Sequence, residues 1–350
     1  MQQVIHAVQE KNDRLTGITQ QVMLYISILP RFERVKRMVR KNPAQPKPRL
    51  SPQSRLRFSG WEYWVMVLPL VAYVLLFKYK PMYGALLAFK KYRAIDGILG
   101  SPWIGLENFE RLFSSYWFPI IMENTFTISA LSLVLGFPLP ILLALSLNEV
   151  RSTRYRKLVQ TVTYAPHFIS VVVLCGIIHL FLSPEYGIVN AAIQGLGFEP
   201  IFFLQKGGMF KWIYVISGLW QGTGWGSIIY FAALSAVDPA LLESAQIDGA
   251  TRLKRIWYIN LPTILPTIVI MLILNSGSLL AVGYEKVFLL QTDANLSSSE
   301  VISTYVYKYG LVNNDYGFST AVGLFNSVIN SALLIAVNCI ARRVGETSLW

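Results

Sequence analysis

Residues 238–266 read DPALLESAQIDGATRLKRIWYINLPTILP, a charged, helix-forming island with about two dozen uncharged and mostly apolar residues on either side. Asp238 followed by Pro239 reads as an N-cap with proline at the first helical position, and Gly249 fits the residue just past a helix C-terminus. A second short helical pattern, residues 250–258, carries Arg252, Lys254 and Arg255 before Leu261 and Pro262 lead into the next apolar run. Two short amphipathic helices between two runs of that kind place a polar element at the edge of a hydrophobic bundle. A soluble partner is expected to meet it there.

Composition supports this reading. Of 350 residues, 53% are apolar and only 14% charged, too little polar surface to cover a soluble globule, so the chain reads as an all-α, multispanning membrane protein. Six spans are predicted, at residues 61–77 (with a possible extension to 80), 125–147, 158–182, 212–234, 263–284 and 318–341. Pro69, Pro138, Pro140 and Pro166 remove helix hydrogen bonds, so kinked and bundled spans are expected. Cys175 and Cys339 both lie in apolar runs and read as small packing residues.

The net charge of +12 is concentrated at one end: residues 1–60 hold twelve Lys/Arg against three Asp/Glu. This is the pattern of a cytoplasmic flank beside anionic lipid, and it divides the chain into a basic N-terminal region, 1–60, and a membrane domain, 61–350. No cleavable signal is read in the first region. Its apolar patch, residues 22–29, followed by Arg31, Arg34, Lys36, Arg37, Arg40 and Lys41, fits an interfacial amphipathic elbow or a loosely ordered basic tail equally well. With the N-terminus inside, 21 of the 31 Lys/Arg lie on the inner side, which favours N-in and C-in and puts the 238–262 loop in the cytoplasm. The N-terminal dozen decides this sum. Lys90, Lys91 and Arg93 fall on the outer side against the trend, and the outer connectors 81–119 and 285–317 read as solvated loops.

Catalytic motifs are absent. There is no GxxxxGK[ST] phosphate loop, no HExxH, no paired CxxC and no G-x-S-x-G elbow, and His6, His167 and His179 lack metal-ligand spacing. A carrier driven by a coupling ion would place charges near mid-span, yet Glu62 and Glu123 sit near span ends. Neither catalytic nor metal-binding residues are expected.

Glu243-Ser244-Ala245-x-x-Asp248-Gly249-Ala250, with Ile259 and Leu261-Pro262 at matching spacing, resembles the EAA loop of binding-protein-dependent ABC importers of the type I class; Ser244 and Ile256 depart from its usual residues. The segments SPWIGLENFERLF (101–113), NEVR (148–151), YAPHFIS (164–170), WQGTGWGSIIY (220–230), EKVFLLQ (285–291), EVISTYVYKYGL (300–311) and GETSLW (345–350) are similar to a sugar-permease subfamily that imports oligosaccharides and polysaccharide fragments. The resemblance implies a cell-membrane complex with a second, homologous permease, two ABC ATPase subunits and an extracytoplasmic sugar-binding protein. It implies no cofactor in this chain, ATP and Mg²⁺ being held by the ATPases, and no nucleic acid. The loop would be the coupling helix, with Glu243, Ser244, Ala245, Asp248, Gly249, Ala250 and Arg252 at the ATPase; Asp248 reads equally as a cap of the second short helix. An importer of another solute class, such as peptides, and a membrane scaffold that binds an ATPase without transport stay open.

Sugar rings present C–H faces edged with hydroxyls, so a pocket for them needs flat aromatic surfaces and planar hydrogen-bonding groups. The fourth span offers Trp220, Gln221 and Trp225 among Gly218, Gly222, Gly224 and Gly226, with Gln221 and Trp225 four apart on one helical face. Motif matching to related sugar permeases adds His167 and Asn275 as pocket positions, and Tyr284 and Glu285 as candidates near an outer gate. Glycines at this spacing are equally the mark of close helix packing in membranes, and Trp near a span end of an interfacial anchor.

Overall fold

The computed structural model describes residues 61–344; the basic N-terminal region and the terminal GETSLW lie outside the described residues. The chain divides into compact units at Leu68/Pro69. Of the first unit, residues 61–68 are described, and they are helical. Among the described residues the regular secondary structure is helical, apart from a lone antiparallel bridge between Lys90 and Trp103.

Helix α1 (Trp61–Val74) continues through a π turn (Leu75–Tyr79) and the short turns Lys80–Met82 and Tyr83–Phe89. The sequence ends the first span at residue 77 or 80 and places an outer connector from Pro81 onward. Instead the π turn carries the chain past Pro81: the Lys80 N–H bonds to the Leu75 carbonyl, five residues back, which widens the helix just where the proline ring would crowd the preceding turn. The same device recurs before Pro262, where Ile256–Asn260 is a π turn and the Leu261 N–H reaches the Ile256 carbonyl. In both cases a proline that looks like a boundary lies inside a continuous helix.

Further helices, besides short turns, are α2 (Glu107–Phe113), α3 (Trp117–Gly136), α4 (Pro138–Asn148), α5 (Thr153–Tyr164), α6 (Val171–Phe181), α7 (Ile188–Gly195), α8 (Gly207–Leu234), α9 (Pro239–Ile247), α10 (Arg252–Arg255), α11 (Leu261–Gly277), α12 (Tyr284–Leu290), α13 (Ile302–Tyr307) and α14 (Tyr316–Val344). Among the described residues, four helices are long and apolar enough to cross a membrane: Tyr63–Phe89, Trp117–Asn148, Arg252–Gly277 and Tyr316–Arg343. There are up to six if each of two bent pairs is one span, Thr153–Phe168 with Val171–Phe181 (98°) and Gly207–Leu234 with Pro239–Ile247 (81°).

In the span expected at 158–182, the kink expected at Pro166 is a 98° break. Pro166 sits in a tight 3-10 turn, Ala165–Phe168, and Ser170 then starts a new helix by accepting the Val173 N–H at 3.3 Å. The span expected at 263–284 also ends early, at Gly277. There α14 comes so close that a Cβ on Gly277 would meet Leu334 at 2.6 Å, and Asn330 of α14 takes the Leu280 N–H at 3.0 Å.

Three apolar clusters tie the bundle. One gathers Ile128, Leu174, Ile178 and Phe210 with Val287, Leu290 and Val301; a second Ala144, Leu145, Tyr230, Leu234 and Ile264; a third Leu112, Ile121, Ile302, Tyr305 and Phe318. The first and third draw in the segment 285–317, which the sequence reads as a solvated connector. It is packed instead: Asn124 donates to the Ser297 and Glu300 carbonyls at 2.9 and 3.0 Å, Thr125 accepts the Ile302 N–H, and Lys308 pairs with buried Glu300. Lys90 is likewise committed, donating to the Ile98 and Leu99 carbonyls, which gives one of the outer basic residues a local role.

Candidate functional site

Helix α8 has 28 residues, about 42 Å at 1.5 Å per residue, against a hydrocarbon layer of about 30 Å. Its glycines sort onto different faces. Gly218, Gly222 and Gly226 recur every four residues and face a cavity of about 530 Å³. Gly224 faces the other way, and a Cβ there would overlap the Thr163 carbonyl of α5. Both meanings of a glycine-rich span therefore hold in one helix, the first opening space and the second allowing two backbones to touch.

The cavity is walled by α3, α4, α8, α11 and the residues that follow α11. Its apolar lining includes Ile128, Leu219 and Met271; its polar groups include Ser129, Gln221, Thr223, Asn275, Ser278 and Lys286, with Tyr214 and Tyr230. Volume and lining suit a small-molecule site. Several of the polar groups are already engaged: Thr223 donates to the Leu219 carbonyl at 2.6 Å and Asn275 to that of Met271 at 2.7 Å. Gln221 donates to the Ile169 carbonyl at 2.8 Å and so ties α8 to the break in the chain before α6. The Ser129 hydroxyl is buried without a partner. Lys286 is 92% buried, donates to the Tyr214 carbonyl at 2.8 Å and lies 4.5 Å above the Tyr214 ring. Burial lowers its pKa to about 8.

Of the sequence-derived pocket residues, Gly218, Gln221, Gly222 and Asn275 are brought together in the cavity lining. Trp220, Trp225, His167, Tyr284 and Glu285 are not part of that lining. Trp225 stacks face to face on His167, ring centres 4.4 Å apart and planes 4° from parallel, with Phe168 edge-on. Trp220 is half exposed, Tyr284 stacks on Tyr307 at 5.2 Å and Glu285 is exposed. Sequence reasoning passed over Lys286 and Ser129. The sequence signal for Lys286 is a cation two residues after a charge-free run, at the start of a segment that reads as a connector.

The polar island forms as its residues dictate. Asp238 accepts the Ala240 N–H at 2.9 Å to start α9. Gly249 adopts φ +76°, its N–H returns to Gln246 and that of Ala250 to Ala245, the paired bonds of a Schellman stop. Thr251, not Asp248, caps the second short helix by accepting the Lys254 N–H; Asp248 is the C-cap residue of the first. Glu243, Ser244, Asp248, Gly249 and Arg252 are exposed, Ala245 and Ala250 are partly buried, and Leu241, Ile247 and Leu253 present bare apolar surface. From below, Leu242, Ile256 and Ile259 pack on the cluster around Tyr230 and Leu234. Arg255 pairs with Glu149 at 2.7 Å, both largely buried, and Asn260 donates to the same carboxylate at 3.3 Å. The island is thus fastened to both neighbouring long helices and to the loop after α4.

Residues 136–346 match the family described as "Binding-protein-dependent transport system inner membrane component". The chain belongs to this family. The match spans α8, the island and α11, so the matched region contains the exposed helix pair and the cavity wall apart from its α3 residues 128–133. Relatives include the "Polygalacturonan/rhamnogalacturonan transport system permease protein YteP" of Bacillus subtilis (strain 168), 43% identical over 82% of this chain and 89% of that protein. "Protein LplB" of the same organism is 39% identical over 86% of this chain and 94% of its own length. Among solved structures, a bacterial alginate ABC transporter in complex with an alginate pentasaccharide-bound periplasmic protein has a chain that superimposes with a TM-score of 0.77 at 42% identity, covering 83% of this chain and 97% of that one. Family and apolar helices together make this a multi-pass inner-membrane protein.

Proposed function

We propose that this chain is the permease subunit of an ABC importer for oligosaccharides or polysaccharide fragments, and that the cavity beside α8 is its part of the substrate path. The observation that carries the reading is that one helix adjoins two features: α8 lines the cavity and, across the four residues 235–238 and an 81° bend, leads into the exposed helix α9. A force applied to α9 therefore reaches the cavity wall through that short connection and through Leu242, which packs on the cluster around Tyr230 and Leu234. ATP and Mg²⁺ would be held by two separate ATPase subunits that clasp α9 and α10 through Glu243, Ser244, Ala245, Asp248, Gly249, Ala250 and Arg252. Closure of the ATPases would turn α8 and α11 and switch the side to which the cavity opens. With the N- and C-termini inside, α9 meets the ATPases in the cytoplasm.

A second, homologous permease would complete the cavity, and an extracytoplasmic binding protein would deliver the sugar. Gly218, Gln221, Gly222 and Asn275 would line the path, and the stacked His167–Trp225 pair offers a flat face outside the cavity on which a sugar ring can lie. The relatives named for polygalacturonan, rhamnogalacturonan and alginate favour saccharide over peptide cargo. The test is co-expression with the candidate partners and reconstitution in lipid vesicles: ATP-dependent uptake of a labelled oligosaccharide supports the reading, whereas a complex that binds ATPase and hydrolyses ATP yet moves no saccharide leaves only a scaffold.

A further inference from the structure

Resting on the reading of the cavity as a saccharide path, we propose that Lys286 is an anion subsite, its ammonium receiving the carboxylate of a uronate-bearing saccharide. The side chain is 92% buried and lies in the cavity lining, where removing a cation from water without a counter-ion is costly. Among the described residues Lys286 is the one Lys or Arg that is fully buried, whereas two partly buried cations have carboxylates: Arg255 has Glu149, and Lys308 has Glu300 with Gln291. Among the described residues no carboxylate lies within 4 Å of Lys286. Its neighbour Glu285 is exposed.

What does hold Lys286 leaves room for a ligand. The Nζ gives one hydrogen bond to the Tyr214 carbonyl and rests over the Tyr214 ring, so two of its three N–H groups are uncommitted to protein acceptors. Gly218 lies against it, and a Cβ there would touch the Nζ at 3.4 Å, an ordinary van der Waals contact. The orphan hydroxyl of Ser129 lines the same cavity and supplies a further hydrogen bond for an anionic or hydroxyl-rich guest. A neutral sugar would leave the ammonium uncompensated; a uronate, ionised at neutral pH, neutralises it.

The test is calorimetric titration of the assembled permease–ATPase complex, without binding protein, with trimers of galacturonate and of mannuronate and with their methyl esters. The wild type is expected to bind at least one acid trimer about tenfold to a hundredfold more tightly than its ester, the range for a charge-assisted hydrogen bond. Lys286→Met should bind acid and ester alike, and Lys286→Arg should retain the preference. An assembled Lys286→Met complex that still prefers the acid, or a wild type that binds both forms equally, overturns the proposal. The latter is also the outcome if a partner permease supplies a carboxylate to Lys286. Should Lys286→Met fail to assemble, the wild-type preference and its loss in Lys286→Gln decide. Binding of neither form by the wild type removes the cavity reading itself.

Discussion

Glu149 holds two groups from the far side of the polar island, the Arg255 guanidinium and the Asn260 amide. Removing one charge of a largely buried pair strands the other, at a cost of about 3 kcal/mol. Glu149→Ala is therefore expected to lower the melting temperature of the complex and the number of sugars moved per ATP. The coupled Glu149→Ala/Arg255→Ala variant should recover part of the stability, which a double-mutant thermal series will show. Gly224 gives a second residue-scale prediction. Because a Cβ there meets the Thr163 backbone, Gly224→Val should cost several-fold in assembled complex, whereas Gly222, with nothing within 4 Å, should accept a side chain without loss of assembly. Both outcomes can be read from co-purification yields.

Lys286 adds a pH dependence. With its pKa lowered to about 8 by burial, the ammonium is charged at pH 7 and is lost as pH rises, so any acid-over-ester preference should fall between pH 7 and 9. The titratable groups facing it are Tyr214 of α8 and Cys175 of α6, neither of which carries a negative charge at neutral pH. A flat preference across that range would separate the effect from Lys286.

At the scale of elements, the island shows how far local sequence goes. Asp238, Pro239 and Gly249 mark the ends of α9 because an N-cap acceptor, a proline without an N–H and a residue tolerant of positive φ each have one natural place in a helix. Gly249→Pro removes both that φ and the N–H that bonds to Gln246. It is expected to abolish substrate-stimulated ATPase activity and uptake while the complex still assembles, and wild-type values for both would show that the turn is not part of the coupling. What local sequence does not show is the partner of each signal. Pro81 and Pro262 look like helix ends because the π turns that carry the chain past them have no residue signature here. The 98° break before α6 is signalled by Pro166 and Ser170, but Gln221, which satisfies the freed Ile169 carbonyl, is 52 residues away. The segment 285–317 looked solvated for the same reason: its anchor Asn124 lies more than 170 residues earlier. Among site residues, the cavity glycines could be read from their spacing on α8, whereas Lys286 and Ser129 acquire meaning only when separate helices meet around them.

For the whole molecule, the central claim is that a cavity in this chain is the path of the sugar and that α9 controls its opening. Much of the surface of the long helices is apolar and exposed, as expected for helices that face lipid and a second permease. A single cysteine placed at Ser244, with Cys175 and Cys339 replaced by alanine, should react with a membrane-impermeant maleimide only from the cytoplasmic side and be protected by the ATPases. The most direct measurement is ATP-driven saccharide uptake by reconstituted complexes carrying Gly222→Trp, a side chain that enters open cavity space and disturbs no neighbour at its Cβ. Normal assembly and basal ATPase activity with uptake reduced at least tenfold is the expected result. Uptake at the wild-type rate would place the path elsewhere.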